Sequence, residues 1–226
     1  MSNIKGMVAQ TEVSRGGEAD FKYVRMLRDG TISFADFLMV MLFEGYIKTA
    51  NGGGVASTAI AFAGAYDADG QDFGLNVPDS LMVMPIKVEV QIEALTDDTD
   101  MEILFMTSNT ALTGTTGTAV TPVNKRMDLQ TGSGCTCYVA FDAAGGTDVS
   151  GGAKAQAFWR CKMESGAAPA AAQSEESTIT SFSYVVPRDG MPPMILGGGC
   201  IAGHVQGPSN GFVTVDWLET PAKWWE

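Results

Sequence analysis

The sequence predicts a mainly β protein, a jelly-roll-like β-sandwich of about eight strands with one short N-terminal helix. Short runs in which apolar and polar residues alternate are separated by turn-forming segments along most of the chain. The composition, with 27 Gly and only 18% charged residues, favours strands and turns in a globular protein. Because 226 residues suit one large β domain, we expect an N-terminal arm over residues 1–30 and a single sandwich over residues 31–226.

The arm mixes polar and apolar positions without a sustained period, and Arg28-Asp29-Gly30 is typical of a turn. It can pack on the body, reach a neighbouring subunit, or remain a frayed terminus, and the sequence leaves these alternatives open. The first eleven residues lack the continuous apolar core of a signal peptide. We therefore expect synthesis in a cytoplasm, with reduced cysteines.

One helix is predicted over Ser33–Ile47. Ser33 can cap its first turn, Asp36 lies near the positive end of the helix dipole, and Gly45 stands where a helix would stop. The run is apolar on nearly every side, yet it is shorter than the roughly 20 apolar residues of a membrane span. We therefore expect no membrane contact and a helix that is buried in the β body and anchors the fold.

The clearest strand is Ile86–Ala94, in which Ile86, Val88, Val90 and Ile92 alternate with charged or amide side chains. Met101–Ser108 follows after an acidic turn and is predicted to pair with it as a hairpin. Thr107–Thr121 is predicted to be an exposed loop. Later strands are predicted at Cys135–Asp142, Ala155–Met163, Thr178–Val186, Met194–Val205 and Phe212–Glu219, the last with Val213, Val215 and Trp217 on one face.

The net charge of the chain indicates which classes of partner it can bind. Fourteen Lys and Arg stand against 26 Asp and Glu, so the formal net charge is −12. Such a surface repels phosphate backbones, and there is no compact basic run. Direct binding of nucleic acid is therefore disfavoured.

The residues offer little catalytic chemistry. His204 is the single histidine, and no nucleophile signature lies near it in the sequence. No glycine-rich phosphate-binding loop occurs between a strand and a helix. Paired carboxylates stay open because their separation in space is invisible in a sequence. We expect a protein that is not an enzyme and needs no cofactor.

Two candidate metal sites have simpler explanations. Cys135, Cys137, Cys161 and Cys200 could form a zinc site with His204, but zinc sites usually show tighter paired spacings, and four buried thiols are the expected state. Asp67, Asp69 and Asp72 share one loop, but their spacing departs from a calcium-binding EF-hand, which favours a solvated turn. We therefore assign no metal.

The tryptophans are candidates for contacts. A carbohydrate-binding sandwich would use exposed aromatic side chains, and the candidates are Trp159, Trp217, Trp224 and Trp225. Of these, Trp217 is expected in the core or between the sheets. Trp224 and Trp225 follow Pro221 at the C-terminus, where we expect docking onto the same body or onto a partner. These two tryptophans are the predicted interface residues.

The layout resembles virion proteins of bacteriophages, in particular single jelly-roll capsid and capsid-associated (cement or decoration) proteins. The resemblance rests on the apolar helix ending in Glu44-Gly45-Tyr46, on Val186-Pro187-x-x-Gly190 and on Val213-x-Val215-x-Trp217-x-Glu219. It implies a virion component made in the host cytoplasm, usually oligomeric and often a trimer, that contacts capsid proteins of the same particle. The small, acidic chain favours a cement protein. The alternatives are a major capsid subunit or a receptor-binding module for carbohydrate.

Overall fold

A computed structural model describes residues 37–53, 59–62, 70–95, 101–112, 117–140, 154–163, 180–186, 188–206 and 209–225. The predicted arm over residues 1–30 lies outside these ranges, and so do Ser33 and Asp36 of the predicted helix. The elements are, in order, α1 (Phe37–Phe43), β1 (Ile47–Gly52), β2 (Ile60–Ala61), β3 (Phe73–Val77), β4 (Leu81–Leu95), β5 (Met101–Ser108), β6 (Thr118–Val120), β7 (Val123–Asn124), β8 (Thr136–Val139), β9 (Gln156–Met163), β10 (Thr180–Val185), β11 (Ile195–Leu196), β12 (Gly199–Gln206), β13 (Ser209–Pro221) and a 3-10 helix (Ala222–Trp224).

The strands form two antiparallel sheets that pack face to face, so the predicted sandwich is confirmed. The seven-stranded sheet has the order β10-β4-β13-β1-β7, with β11 beside β4 and β2 beside β13, and the six-stranded sheet has the order β6-β8-β3-β12-β5-β9. Eight strands carry the jelly-roll order, as β1-β13-β4-β10 in one sheet and β3-β12-β5-β9 in the other. Strands β6, β7 and β8 lie between β5 and β9 in the chain and extend both sheets at an edge.

The inner faces of the sheets form one continuous core. Val213, Val215 and Trp217 of β13 are fully buried, as the alternation predicted. Phe105 of β5 lies on the inner face of the six-stranded sheet, one strand in from its β9 edge. Its ring centroid is 6.1 Å from that of Phe73 and 5.7 Å from that of Trp159. Burial of such large aromatic side chains contributes a major part of the hydrophobic stabilisation of the sandwich.

The predicted hairpin between Ile86–Ala94 and Met101–Ser108 is wrong. Strand β4 pairs with β10, β11 and β13, whereas β5 lies in the opposite sheet between β12 and β9. The chain therefore crosses from one sheet to the other after Leu95. Thr107–Thr121 is also not all exposed loop, because Thr107 is buried in β5 and Thr118–Val120 forms β6.

A shift of register in β4 changes the predicted orientation of Ile86. Asp216 lies opposite Lys87, but Trp217 lies opposite Pro85, so Ile86 is the extra residue of a bulge. Pro85 has no N–H to donate, which suits this break in the ladder. Val88 and Val90 keep the predicted inward orientation, whereas Ile86 packs in a separate cluster on the outer face of the sheet. A similar shift between Phe105 and Met106 lets both Phe158 and Trp159 pack against the core, although strict alternation along a strand would place neighbouring residues on opposite faces.

Helix α1 ends earlier than predicted and is buried on one side only. The described helix covers Phe37–Phe43, ends before Gly45 at φ +80°, and is followed by β1, which begins at Ile47. Only Met41 is buried, because the helix lies on the outer face of the seven-stranded sheet instead of between the sheets. The helix therefore packs on the sandwich from outside, and its burial against the β body is limited to the side that carries Met41.

One end of the sandwich is closed by a buried polar network. The Glu219 carboxylate accepts hydrogen bonds from Trp217 Nε1 at 3.1 Å, from the Gly134 N–H at 2.9 Å and from the Ser133 hydroxyl. Lys48, opposite Trp217 in the β1–β13 ladder, donates to the Thr131 carbonyl at 3.0 Å. Burial lowers the pKa of Lys48, and the charge of Glu219 partly offsets this effect. The network attaches the segment before β8 to the ends of β1 and β13.

Replacing Met41 with Asp tests the placement of α1. A buried, unpaired carboxylate costs several kcal/mol, so we expect Met41→Asp to lower the free energy of unfolding by about 3 kcal/mol. Met39 is 47% exposed, and Met39→Asp should cost less than about 1 kcal/mol. Urea unfolding followed by tryptophan fluorescence measures both, and equal losses would contradict this orientation of the helix.

Replacing Glu219 tests the polar network. Glu219→Ala leaves three donors without their acceptor, and we expect a loss of about 3 kcal/mol in the free energy of unfolding. Glu219→Gln keeps one acceptor oxygen and should lose clearly less. If both variants unfold at the urea concentration of the wild-type protein, the network does not stabilise the fold.

Candidate functional site

The outer face of the seven-stranded sheet has a polar half and an apolar half. In the polar half, Glu89 accepts hydrogen bonds from Lys87 and Gln91, and Thr214 donates to Asn51 at 3.0 Å. Beyond the β4 bulge, the outward side chains are apolar: Met82, Met84 and Ile86 of β4, with Leu218 of β13. Burial of this apolar half requires a covering layer, because the opposite sheet packs on the other side.

Helix α1 and the C-terminal tryptophans form this layer. Met41 packs against Ile47, Met82 and Leu218 in one buried cluster, and Trp225 packs at its margin. Trp225 Nε1 also donates to Thr220 Oγ1 at 2.8 Å. The Trp224 ring lies edge-on to Tyr46, with ring centroids 5.1 Å apart.

The predicted interface residues Trp224 and Trp225 are thus half-buried on their own body. Each keeps part of its ring in solvent, next to α1. Their placement leaves the prediction of a contact to another molecule open.

The end of α1 is held by the segment that follows β7. Arg126 Nη1 donates to the Phe43 carbonyl, and Asn124 Nδ2 donates to the Gly45 carbonyl at 2.9 Å. A Cβ at position 45 would come within 2.5 Å of Leu129 Cδ1. Both this close approach and the positive φ therefore favour glycine at position 45. The helix is therefore attached at its C-terminal end by side chains from a distant part of the chain.

Three apolar side chains of α1 remain exposed. Phe37, Met39 and Phe43 are 47%, 47% and 53% exposed. At the edge of the sheet, Leu196 lies opposite Met82 and is 41% exposed, and Met194 is 49% exposed. Both groups flank the cluster around Met82. We call this set the apolar surface: Phe37, Met39, Phe43, Met194, Leu196 and Trp225.

An exposed apolar surface of this kind marks a contact site more often than a catalytic one. Methionine suits such a role, since its flexible side chain adapts to the shape of a partner. Sequence reasoning missed these residues because the helix is apolar on nearly every side, so its sequence does not indicate which side faces solvent. A sequence signal for the exposure of Met194 and Leu196 is the glycine run that follows them. Gly197 and Gly198 adopt positive φ values and end the short strand β11.

The zinc alternative is contradicted by the two faces of the six-stranded sheet. Cys135, Cys137 and Cys161 face the core between the sheets, whereas Cys200 packs with Met106 and Ala202 on the outer face. His204 alternates with Ala202 and therefore shares that outer face. Within the described ranges, no group of three or more His, Cys, Asp or Glu side chains is placed to hold a metal ion.

The proposed calcium loop is described only in part, because Asp67 and Asp69 lie outside the described ranges. Asp72 is buried, and its Oδ2 accepts the Val205 N–H at 2.6 Å. This carboxylate therefore joins β3 to β12, which is a structural role.

His204 lines a pocket of about 380 Å³ on the six-stranded sheet, together with Glu102, Leu104, Arg160 and Gln206. Arg160 Nε lies 3.1 Å from Glu102 Oε1. None of the described lining residues is a Ser, Thr or Cys that could act as a nucleophile beside the imidazole. None of these lining residues is aromatic. Trp217 is fully buried in the core, and Trp159 is half-buried against it.

Comparison of this chain with protein-family models, curated proteins and solved structures found no match. None of the described helices has the length and hydropathy needed to cross a membrane.

The buried thiols make stability depend on pH. Burial raises the pKa of Cys137 and of Cys200 from 9.0 to about 12, and raises that of Cys135 further. Above pH 9 the unfolded chain loses these protons while the native state keeps them. The free energy of unfolding should therefore fall as pH rises from 9 towards 12, by up to about 1.4 kcal/mol per pH unit for each thiol. The lowered pKa of Lys48 acts in the opposite direction below its ordinary value of 10.5.

Urea unfolding between pH 8 and pH 10.5 under reducing conditions measures this slope. Cys137→Ala should make the slope shallower, even though the smaller side chain lowers stability at every pH. Cys161→Ala is the control because that side chain is only half-buried. An identical slope in the wild-type and Cys137→Ala proteins would contradict the assignment.

Proposed function

We propose that this protein is a structural component of a virion, a capsid cement protein that stabilises the shell through contacts with neighbouring subunits. The jelly-roll order of the eight central strands supports this function, since that order is common in viral capsid proteins. The fold alone does not define a function, because lectins and other proteins share it. The proposal therefore depends on the exposed surface of the protein.

The observation that carries the proposal is the apolar surface beside α1. Its side chains are exposed although a buried apolar cluster lies directly beneath them. Exposed Phe, Met and Leu side chains next to half-buried tryptophans have the composition of a protein–protein interface core. The polar half of the same sheet is satisfied by internal hydrogen bonds and offers no comparable surface.

The charge supports a place on the shell and away from the packaged genome. With a net charge of −12, the chain is repelled by nucleic acid and attracted to basic patches on a shell protein. A major capsid subunit would assemble shells from copies of itself, whereas a cement protein adds to a shell that other subunits have formed. We propose the second role, with the protein as a homo-oligomer, a trimer being favoured.

Size-exclusion chromatography with light scattering tests this function on the purified chain, alone and mixed with candidate capsid shells. We expect a small closed oligomer of the 23.8 kDa chain that co-migrates with a shell. Met39→Lys should weaken binding to the shell more than tenfold, since it places a charge in the apolar contact. Gln91→Lys, on the polar half of the same sheet, is the matched control and should bind normally.

Other outcomes would overturn the proposal. A strict monomer that binds no shell contradicts the cement role. Spontaneous assembly of the purified chain into closed shells would instead assign it as a major capsid subunit. Equal loss of binding in Met39→Lys and Gln91→Lys would show that the apolar surface is not the contact.

A further inference from the structure

The six-stranded sheet ends in β9, the longest edge strand that the structure describes. β9 pairs with β5 on one side and has no neighbour among the described strands on the other. It has eight residues, whereas the edge strand β10 has six and the remaining edge strands have two or three. Every second residue of an antiparallel edge strand directs its N–H and C=O away from the sheet. A long edge strand therefore offers a row of main-chain donors and acceptors to another strand.

Side-chain burial shows that solvent reaches this edge. Ala202 of β12, Met106 of β5 and Ala157 of β9 lie side by side in one row across the sheet. Ala202 is 0% exposed and Met106 is 6% exposed, but Ala157 is exposed. Because an alanine side chain shields little of the main chain, a partner can approach the backbone of β9 from this side.

The edge strand β10 of the other sheet is closed by its own chain. The Ser183 carbonyl accepts a hydrogen bond from Arg188 Nη2 at 3.3 Å. The Val185 N–H donates to Asp189 Oδ2 at 2.7 Å, and the Val185 carbonyl accepts the Asp189 N–H at 2.9 Å. Ser183 and Val185 are alternate residues of β10, so these bonds occupy groups that a further strand would use. Strand addition is therefore disfavoured at β10, and β9 is the long accessible edge of the described sandwich.

We propose that β9 binds an extended segment of a partner protein, which adds to the sheet as a further strand and carries acidic side chains on its outer face. Binding of this kind takes its affinity from main-chain hydrogen bonds and its specificity from the alternating side chains. The contact lies on the opposite sheet from the apolar surface, so it goes beyond the proposed function and does not depend on it.

The two faces of β9 define the chemistry of the segment. On the inner face, Trp159 and Cys161 are half-buried and pack against the core, which favours apolar side chains on the added strand. On the outer face, Arg160 and Lys162 are exposed, and β9 contains no acidic residue. Acidic side chains beside these two cations stabilise the strand pair. Because side chains alternate between the faces of a strand, the segment alternates apolar and acidic residues.

The regular part of β9 accommodates this pairing. Phe158 is the extra residue of the bulge, and residues 159–163 keep an unbroken register with β5. Bulges protect edge strands against pairing, so we expect the segment to pair mainly with residues 159–163.

A second copy of this chain fits the β9 edge poorly. Pairing of two β9 strands about a two-fold axis keeps both outer faces on one side of the joined sheet, so Arg160 and Lys162 would lie beside the same residues of the other copy. Like charges opposite each other destabilise a strand pair. Glu102, opposite Lys162 and 3.1 Å from Arg160, is a single carboxylate beside two cations. A partner that supplies further carboxylates is therefore preferred.

Hydrogen exchange measured by mass spectrometry tests this proposal on the full chain. The probes are two short blocked peptides, one in which valine alternates with glutamate and one in which valine alternates with lysine. At millimolar concentration, we expect the glutamate peptide to slow exchange over residues 159–163 several-fold and the lysine peptide to have little effect. Lys162→Glu should weaken binding of the glutamate peptide several-fold. Lys223→Glu, the same charge change at an exposed site on the 3-10 helix, is the matched control and should bind normally.

Exchange in the interior strand β12 is the folding control and must stay slow in each variant. Unchanged exchange over residues 159–163 with the glutamate peptide would overturn the proposal. Equal slowing by both peptides, or equal binding by folded Lys162→Glu and the wild-type protein, would show that acidic side chains are not recognised and would also overturn it. Protection of β9 that rises with protein concentration in the absence of peptide would assign the edge to a second copy instead. No shell is used, so these results and those on shell binding are independent.

Discussion

The register shift in β4 is the constraint on which the rest of the molecule depends. Ile86 has no partner between Asp216 and Trp217 of β13. The inward-facing residues of β4 are therefore odd-numbered before the bulge, as Val83 is, and even-numbered after it, as Val88 is. A strand that changes phase in this way places apolar side chains on the outside of the sheet over part of its length. The core between the sheets and the apolar cluster beneath α1 are thus produced by the same strand.

The outer cluster in turn explains the long-range connections of the fold. It has to be covered, and the cover consists of α1 and Trp225, which lie near opposite ends of the described chain. Arg126 and Asn124 hold α1 by donating to the carbonyls at its C-terminal end, and Trp225 is held by its hydrogen bond to Thr220. The same segment continues to the network around Glu219. A contact made on α1 is therefore connected through packed side chains to the closed end of the sandwich.

The sequence allowed the fold class and much of the core to be predicted, because alternation in β13 and the turn-forming glycines are local signals. It did not allow the partners of β4 and of β5 to be predicted, since strand pairing depends on which strand edges are free in three dimensions. The orientation of Ile86 was missed because a bulge leaves no trace in a regular alternation. The interface role of Trp224 and Trp225 stays a prediction. Met194 and Leu196 are distant from them in the chain, and only the β4–β11 ladder places Leu196 opposite Met82 of the outer apolar cluster.

The central claim is that the apolar surface beside α1 is the part of this protein that meets its partner. Photo-crosslinking from a photoreactive phenylalanine analogue at position 43, in protein bound to a particle, measures this most directly, with the analogue at position 91 as the reference. The account predicts crosslinks to a shell protein from position 43 and none from position 91. Crosslinks from position 91 alone would contradict it and place the contact on the polar half of the sheet.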